Sequence, residues 1–586
     1  MFLSKLQNNP LAFLYTRMWR FSQGNRKSVL LYTFLSIIAN SVLIIAPLII
    51  GNVLNIIQTN GITSENITVI ILSLAVFIIV EACFWIFHWP SRVIERKNAF
   101  VVRANFKEYL TKNLMYLPLQ WHNENHSGDI HDRIEKSSNA LFVFSGETFT
   151  IIGPITSLIA SILMLAYFHL PSLLIIIPMC IIAIIISLKF DSTLIKQYSF
   201  LNNSENTISE KMIDSLSNIT TVIILRVESM LRKSIMGAIM HPQQVYNKNV
   251  SLNETKWATI SIIGSSMIFF VIVSYILLGF ASGVIMIGTI YILYEYSQKI
   301  RTVFYQFTLR YGTITQQMTA MKNIDPVINA FEKKKKVKRI NLDKWDSLTV
   351  SNMRFSYLSG KKVHPLKNIS FEIKKGERIA FVGASGSGKS TMLKLMRSLY
   401  LPRAGTVFID GIKLKNAFKG LSYKISLIPQ DPEIFKNTVL YNITLGIRYR
   451  KEHVDKVANM ACFLDVIKKL PNGYNTIVGE KGAKLSGGEK QRLALARGIL
   501  ASEDKEIILL DEPTSSVDIK NERNIYQNIM REFGDKTIIS TIHKLTLLKM
   551  FDKIVFFENG KITQTGTLQE LLQNKNFYSL WKKNAL

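Results

Sequence analysis

The stretch Gly383-Ala384-Ser385-Gly386-Ser387-Gly388-Lys389-Ser390-Thr391 decides the fold of the second half of the chain. Glycines let backbone N–H groups wrap around phosphate oxygens, and a following lysine and hydroxyl reach the terminal phosphates and Mg²⁺. The apolar run 378–382 before the loop predicts a buried strand, and 391–396 after it predicts a helix whose N-terminus faces the phosphates. The combination predicts a nucleotide-binding P-loop.

Two further motifs lie downstream in the same half of the chain. Leu485-Ser486-Gly487-Gly488-Glu489 precedes the strand-like run Ile507-Ile508-Leu509-Leu510-Asp511-Glu512. Phosphoryl transfer to water requires a lysine, a Mg²⁺ held by a hydroxyl and a carboxylate, and an acceptor that orients the water. The chain supplies this set with Lys389, Ser390, Asp511 and Glu512. The glycines of the first motif open a helix, which would offer N–H groups and a positive helix end to a phosphate.

Together these motifs resemble the nucleotide-binding domain of ABC transporters, whose signature Leu485–Glu489 matches. The resemblance covers 346–586 and implies an ATPase that uses ATP and Mg²⁺. In that family the signature contacts ATP held by the P-loop of the opposite subunit. The resemblance therefore also implies that one chain alone does not complete a site.

The resemblance assigns a role to each residue of the expected ATP site. The catalytic residues are Glu512 as the carboxylate that acts on water, His543 as the switch histidine, Gln430 and Lys389. The Mg²⁺ contacts are Ser390, Gln430 and Asp511. The ATP contacts are Tyr357 against adenine, the loop residues Gly383, Ala384, Ser385, Gly386, Ser387, Gly388, Lys389, Ser390 and Thr391, and the signature residues Ser486, Gly487, Gly488 and Glu489.

Three of these residues also have ordinary structural interpretations. Gln430 by itself would be a polar loop residue, and His543 by itself would be a structural histidine after the apolar run 537–542. Their positions relative to the other motifs favour the ATP-site interpretation. For Tyr357 a core aromatic in a strand is an open alternative.

The first half of the chain contains six apolar runs near the roughly 20 residues that span a bilayer core. They lie near 28–52, 66–88, 143–167, 171–188, 258–280 and 283–304. A buried soluble helix can mimic one such run, but not six. Before them, residues 10–21 mix apolar and basic side chains, which predicts an amphipathic helix at the membrane interface or the cytosolic start of the first span.

The charge distribution predicts the orientation of these spans. The segments expected outside, 53–65, 168–170 and 281–282, contain no Lys or Arg. The segment expected inside contains the basic residues Arg92, Arg96, Lys97, Arg103, Lys107 and Lys112. By the positive-inside rule both termini and the ATPase domain face the cytosol. A basic surface beside an anionic leaflet then accounts for the formal net charge of +29, so lipid and not nucleic acid is the expected partner.

Two long segments between spans, 89–142 and 189–257, predict helices that continue beyond the membrane. Their spacing resembles the exporter-type ABC fold, in which coupling helices at the ends of such extensions contact the ATPase domains. Within them, 117–133 and 215–228 match the two coupling regions. The predicted organisation is multi-domain: an all-α six-helix transmembrane domain at 1–325, a basic linker at 326–345 and an α/β P-loop ATPase domain at 346–586.

These expectations combine into a homodimeric exporter-type ABC half-transporter in an inner, cytoplasmic membrane. ATP binding would draw two ATPase domains together and open a shared cavity outward, and hydrolysis would reset it. An importer with the exporter fold and an ATP-gated channel are alternatives. The six spans argue against a soluble ABC ATPase acting on ribosomes or in DNA repair.

The sequence predicts the substrate only by class. Glu81, Glu147 and Glu295 lie in or near spans, where an ionisable group is costly. An acidic cavity would include the neighbouring aromatic residues Phe84, Trp85, Tyr294 and Tyr296. Such a cavity suits amphipathic cations or peptides, and the expected substrate class is an amphipathic molecule, namely a lipid, a drug-like compound or a peptide. The alternative is that the carboxylates lie at the interface and pair with Lys or Arg.

Overall fold

The computed structural model describes residues 9–125, 127–332, 345–357, 366–431, 433–479 and 485–584. The chain divides into two compact units, Met1–Leu117 with His122–Lys334 and Pro118–Trp121 with Lys335–Leu586. In the described residues the first unit is helical, and all strands belong to the second. The predicted fold class, an all-α domain followed by an α/β domain, is confirmed.

The helices of the first unit and of the segment it encloses run from residue 10 to residue 332. In chain order they are α1 (Pro10–Phe21), α2 (Arg26–Val42), α3 (Ala46–Asn60), α4 (Ile67–Leu114), α5 (Leu119–Glu124), α6 (Ser127–Ser145), α7 (Phe149–Phe168), α8 (Leu173–Ser217), α9 (Ile219–Leu225), α10 (Glu228–Met240), α11 (Gln243–Ser282), α12 (Ile287–Lys322) and α13 (Asp325–Glu332).

Five segments of the described chain are long and apolar enough to cross a membrane. They are Arg26–Asn60, Ile67–Leu114, Ser127–Phe168, Leu170–Ser217 and Glu228–Ala281. These segments correspond to the first five predicted spans. Many of their large apolar side chains are exposed, which is the surface that a bilayer would cover.

The sixth predicted span, 283–304, does not qualify by composition. A loop leads into α12, which is long enough at 36 residues. Glu295, Lys299 and Arg301 lie within the predicted span and lower its hydropathy. The sixth helix of the predicted domain is therefore present as α12, but it is less apolar than the other five because it carries charged side chains along part of its length.

The amphipathic helix predicted at 10–21 is present as α1. Asn9 Oδ1 accepts hydrogen bonds from the Leu11 and Ala12 amides, at 3.0 and 3.2 Å, and so caps the helix. Its apolar side is buried, and Arg17 pairs with Asp325 at 3.1 Å across the first unit. The expected outer segment 53–65 is shorter than predicted, because α3 continues to Asn60.

The long helical extensions are also present. α4 has 48 residues and α8 has 45, which correspond to about 70 Å of helix against a bilayer core of about 30 Å. The short helices α5 and α9 lie within the two segments that match coupling regions. Pro118–Trp121, at the first of them, groups with the second compact unit.

The predicted linker differs from the structure at its start. α13 extends to Glu332, and its Val327, Ile328 and Phe331 are buried, so the first residues of 326–345 are packed helix. The basic run 333–339 lies outside the described residues.

The second unit is built on a six-stranded sheet with strand order β12-β11-β3-β10-β9-β6. β12 is antiparallel to β11, and the remaining neighbours are parallel. Its strands are β3 (Arg378–Gly383), β6 (Ile425–Ile428), β9 (Ile507–Asp511), β10 (Thr537–Thr541), β11 (Lys553–Glu558) and β12 (Lys561–Gly566). β9 and β10 are buried along their whole length, as expected for apolar strands covered on both faces.

Two smaller sheets and several helices complete the unit. The antiparallel sheet β2-β1-β4-β5 and the pair β7-β8 consist of β1 (Ser347–Phe355), β2 (Leu366–Lys374), β4 (Ala404–Ile409), β5 (Ile412–Lys413), β7 (Asn437–Thr438) and β8 (Ile477–Val478). The helices are α14 (Lys389–Met396), α15 (Val439–Thr444), α16 (Lys451–Met460), α17 (Leu464–Lys469), α18 (Gly487–Leu500), α19 (Ile519–Glu532), α20 (Leu568–Leu571) and α21 (Lys575–Asn584).

Candidate functional site

The carboxyl ends of four parallel strands bring the predicted catalytic residues to one edge of the large sheet. β3 ends at Gly383, β9 ends at Asp511, and Gln430 and His543 follow the ends of β6 and β10. Ligands of open α/β sheets bind at this edge. The distant motifs therefore meet because the strands that carry them are neighbours in the sheet.

The P-loop has the backbone geometry that its glycines predict. A Cβ on Gly383 (φ +154°) would lie 2.2 Å from the Phe557 carbonyl oxygen, so only glycine fits there. Gly388 (φ +109°) is the residue before α14. Lys389 is 4% exposed, and its Nζ donates to the carbonyls of Gly383 (2.8 Å) and Ala384 (3.0 Å).

The loop residues fit a bound phosphate. The Ser387 hydroxyl is buried and has no hydrogen-bond partner among the described residues, which leaves one polar atom for a ligand. Burial lowers the pKa of Lys389, while Glu512 and Asp511 oppose that shift. The hydrogen bonds of Lys389 go to neutral carbonyls, which leave its charge available for phosphate oxygens.

The two residues predicted to hold Mg²⁺ already contact each other. The Ser390 hydroxyl donates to Asp511 Oδ1 at 2.7 Å, and the Thr541 hydroxyl lies 3.1 Å from the same oxygen. Burial raises the pKa of Asp511, and these two hydrogen bonds oppose the rise. A hydroxyl and a carboxylate oxygen at this distance suit Mg²⁺, which would neutralise phosphate charge when bound.

Glu512 is the centre on which the remaining catalytic candidates converge. Gln430 Nε2 donates to Glu512 Oε2 at 3.0 Å, and His543 Nε2 lies 2.7 Å from Glu512 Oε1. The Glu512 backbone has φ +46°, a left-handed conformation that is uncommon for a residue other than glycine. The Thr541 hydroxyl accepts from the Glu512 amide at 2.8 Å and helps to hold that conformation.

The signature residues form the start of α18. Ser486 is its N-cap, and Ser486 and Glu489 make a reciprocal capping box. A Cβ on Gly488 would lie 2.6 Å from the Ser516 carbonyl oxygen, so this glycine permits close packing of the loop that follows Glu512. Hydrogen bonds to Ser486 lower the pKa of Glu489. Contact of this helix start with a nucleotide stays a prediction.

Tyr357 is packed against other aromatic rings, as a core residue would be, and also keeps an exposed surface. It packs edge-on against Phe355 and Tyr400, with ring centroids 4.9 and 5.3 Å apart, and its hydroxyl lies 3.2 Å from Thr391 Oγ1. Its side chain nevertheless stays 40% exposed. The ring is therefore anchored beside the P-loop helix with surface left for a flat ligand.

Two residues of this site were missed by sequence reasoning. Thr541 bridges the Asp511 and Glu512 positions, and Gln491 contacts three neighbouring groups. Gln491 Nε2 donates to the Gln430 carbonyl (3.1 Å) and to Ser515 Oγ (2.7 Å), and its Oε1 accepts from the Ser516 amide (2.8 Å). The signal for Gln491 was its position two residues after the signature, one helical turn into α18.

A second candidate site is a cavity of about 590 Å³ within the first unit. Polar side chains line much of it, including Asn40, Glu295, Gln298, Lys299, Gln306 and Arg310. This lining has one carboxylate, two basic groups and one aromatic ring, Phe149, and Glu295 is the one member of it among the residues named for the acidic, aromatic cavity.

The other predicted cavity residues lie elsewhere. Glu147 pairs with Arg310 at 2.7 Å, as the alternative interpretation expected. Glu81 accepts a hydrogen bond from Trp85 Nε1 at 3.2 Å. Tyr296 is buried against the Ile44 carbonyl, whereas Tyr294 is exposed. Sequence position alone did not reveal which face of each helix these residues occupy.

Both halves of the chain match family models. Residues 366–515 match the family described as ABC transporter, and residues 29–298 match the family described as ABC transporter transmembrane region. The solved structure of a bacterial Atm1-family ABC exporter with ATP bound covers 96% of this chain and 99% of its own, with a TM-score of 0.84. At 23% identity, this likeness concerns the fold alone.

Curated relatives extend over both units. ABC transporter B family member 24, mitochondrial, of Arabidopsis thaliana is 31% identical over 483 residues, which is 79% of this chain and 69% of that protein. Iron-sulfur clusters transporter ABCB7, mitochondrial, of Danio rerio is 32% identical over 395 residues, 65% of this chain and 52% of that protein. The chain spans about half the length of the first such relatives it matches.

Proposed function

Because this chain belongs to the ABC transporter family and has the exporter-type fold, we propose that it is an ATP-driven exporter. The observation that carries the proposal is the convergence of Gln430 and His543 on Glu512, beside the Ser390–Asp511 pair. In the proposed reaction Glu512 accepts a proton from water that attacks the terminal phosphate. Lys389 and the P-loop amides bind the phosphate oxygens, and Gln430 and His543 orient Glu512.

The proposed assembly contains two copies of the chain. The capping box uses the Ser486 and Glu489 N–H groups, so in this proposal the Gly487 and Gly488 N–H groups and the positive helix end of α18 meet a phosphate bound to a second copy. The short helix α9 supports a docking role, since Ile223, Ile224 and Leu225 are exposed. In this proposal α5 and α9 act as the coupling helices that transmit closure of the ATPase domains to the spans.

The proposed location is a cytoplasmic membrane with the ATPase domain in the cytosol. The five apolar segments show a multi-pass membrane protein. The distribution of basic residues supports the orientation. Several relatives are named as mitochondrial, so a membrane of that organelle is the competing location.

The proposed route is the cavity lined by Glu295, Lys299 and Arg310. Its charges of both signs and its amide side chains favour an amphipathic solute with polar groups over a purely apolar lipid. The names of relatives add iron–sulfur clusters and heavy-metal tolerance to the substrates worth testing.

Transport by sealed vesicles tests this proposal. Purified protein is reconstituted, and vesicles with outward-facing ATPase domains receive MgATP outside. The probes are a fluorescent amphipathic cation, a short peptide, a labelled phospholipid and a thiolate-ligated [2Fe–2S] cluster. We expect ATP-dependent accumulation of a probe inside, and none with Glu512→Gln.

Each other outcome contradicts one part of the proposal. ATP-dependent release of a preloaded probe would support the importer alternative. Ion conductance that opens with ATP, without accumulation, would support a channel. Accumulation that survives Glu512→Gln would overturn the assigned catalytic carboxylate.

A further inference from the structure

The first membrane segment is broken between α2 and α3, and Pro47 explains the break. Pro47 lies in the first turn of α3 and has no N–H group. The Leu43 carbonyl, four residues earlier, therefore lacks the amide donor that a continuous helix would provide. The Leu48 amide donates to the Ile45 carbonyl at 3.0 Å, one residue later than in a regular α-helix, and this shift deprives the Ile44 carbonyl as well.

Two side chains of α12 replace the missing donors. Lys299 Nζ donates to the Leu43 carbonyl at 3.0 Å, and the Tyr296 hydroxyl donates to the Ile44 carbonyl at 2.7 Å. The two residues are three positions apart and so lie on one face of α12. Irregular backbone at membrane depth is tolerated only where protein groups or water satisfy it. The break is therefore stable only while α12 stays in contact with it.

The same contact borders the cavity. Lys299 lines the cavity with Glu295 from the preceding turn and with Asn40 from the last turn of α2. Tyr296 is fully buried beside it. A displacement of α12 at the cavity wall would thus act directly on the two carbonyls of the break.

We propose that Tyr296 and Lys299 are positioning residues that latch the α2–α3 break to α12 during the transport cycle. When α12 moves, the break moves with it, because separation of the break from α12 would leave two carbonyls without donors. The motion of the cavity wall is thereby coupled to the motion of the first span. The inference rests on the proposed function, since the cycle it describes is the ATP-driven one.

A double-mutant cycle between Pro47 and Lys299 tests the latch in the full chain in nanodiscs. Lys299→Met removes the donor and keeps the apolar stem, so kcat for ATP hydrolysis should fall about tenfold for an orphaned carbonyl, while KM for ATP changes less than about twofold. Pro47→Ala restores a backbone N–H to the break. In that background the same Lys299→Met change should lower kcat by less than about threefold.

Two further variants keep the test decisive if Lys299→Met folds poorly. Lys299→Arg retains a donor and should keep kcat within about threefold of wild type. Tyr296→Phe loses only a hydroxyl and should lower kcat with KM for ATP unchanged. An equal loss from Lys299→Met with and without Pro47→Ala, or no loss at all, would overturn the latch. Absence of ATP-driven transport by the wild-type protein would instead overturn the proposed function, and would leave the kcat coupling of Pro47 and Lys299 intact.

Discussion

Two sets of buried charged groups, one in each unit, are satisfied in different ways. In the membrane unit Lys256 pairs with Asp191 at 2.5 Å, with side chains 2% and 6% exposed, and buried Glu95 pairs with Arg92. In the ATPase unit Lys389 is held by two carbonyls and Asp511 by two hydroxyls. The first arrangement cancels charge, whereas the second holds charged groups in place without cancelling them.

The difference separates structural charges from charges available to a ligand. A carboxylate that neutralises a lysine fixes the register of two helices but leaves little net charge to attract a ligand. A carbonyl orients a lysine and leaves its charge for an incoming phosphate. By this criterion Lys299, which is held by the Leu43 carbonyl, resembles Lys389 more than it resembles Lys256.

The largest effect is expected on ATP hydrolysis, when a charged group of the ATPase unit that is available to a ligand is removed. Glu512→Gln keeps the shape of the side chain and removes its negative charge, so ATP should still bind while hydrolysis falls about 10²–10³-fold. Phosphate release and retained ATP in nanodiscs measure the two quantities. The control is Glu532→Gln, at an exposed pair with Lys456 outside the site, which should keep the wild-type rate. Hydrolysis near the wild-type rate in Glu512→Gln would show that this carboxylate is not the base.

The next effect is on stability. Lys256→Met leaves Asp191 buried and unpaired, so the free energy of unfolding should fall by about 3 kcal/mol. Unfolding in a denaturing detergent series measures the change. Lys468→Met is the matched control, because its pair with Asp465 has side chains 67% and 87% exposed and should change stability by less than about 0.5 kcal/mol.

The double variant Asp191→Leu with Lys256→Met should recover much of that loss, since an apolar pair needs no partner charge. Equal unfolding midpoints for Lys256→Met and Lys468→Met would contradict a structural role for the buried pair.

The smallest effect is expected at Glu147. Its pair with Arg310 is partly exposed, with side chains about two-fifths accessible, so Glu147→Gln should change the free energy of unfolding by less than about 1 kcal/mol. The same detergent series measures it. A loss as large as that of Lys256→Met would mean that this pair belongs with the buried ones.

The sequence predicts a feature well when the residues that form it are close together in the chain, and poorly when they are far apart in the chain. The P-loop, the helix that begins at the signature glycines, and the Asp511–Glu512 pair are local patterns with fixed spacing, and the structure contains each of them. The partners of the cavity residues are distant, for example Lys299 with Leu43 and Arg310 with Glu147. No local pattern specifies such pairs, which is why the sequence left open whether these carboxylates line a cavity or pair with Lys or Arg.

The apolar runs in the sequence predicted the membrane spans better for some helices than for others. They predicted the first five spans, because lipid-facing side chains make those helices apolar. They overestimated the apolar character of α12, whose charged groups include Glu295 and Lys299 at the cavity. The helix most concerned with the candidate transport route was the least apolar of the six.

ATP occupancy of mixed dimers tests most directly whether two copies share each ATP-hydrolysing centre. In one arrangement one copy carries Ser486→Arg and the other carries Lys389→Ala, which places both lesions in one site and leaves the second complete. In the other arrangement one copy carries both changes and pairs with wild type, which damages both sites. We predict one tightly held ATP per dimer in the first arrangement and almost none in the second. Equal occupancy in the two arrangements would contradict a centre built from the P-loop of one copy and the signature of the other.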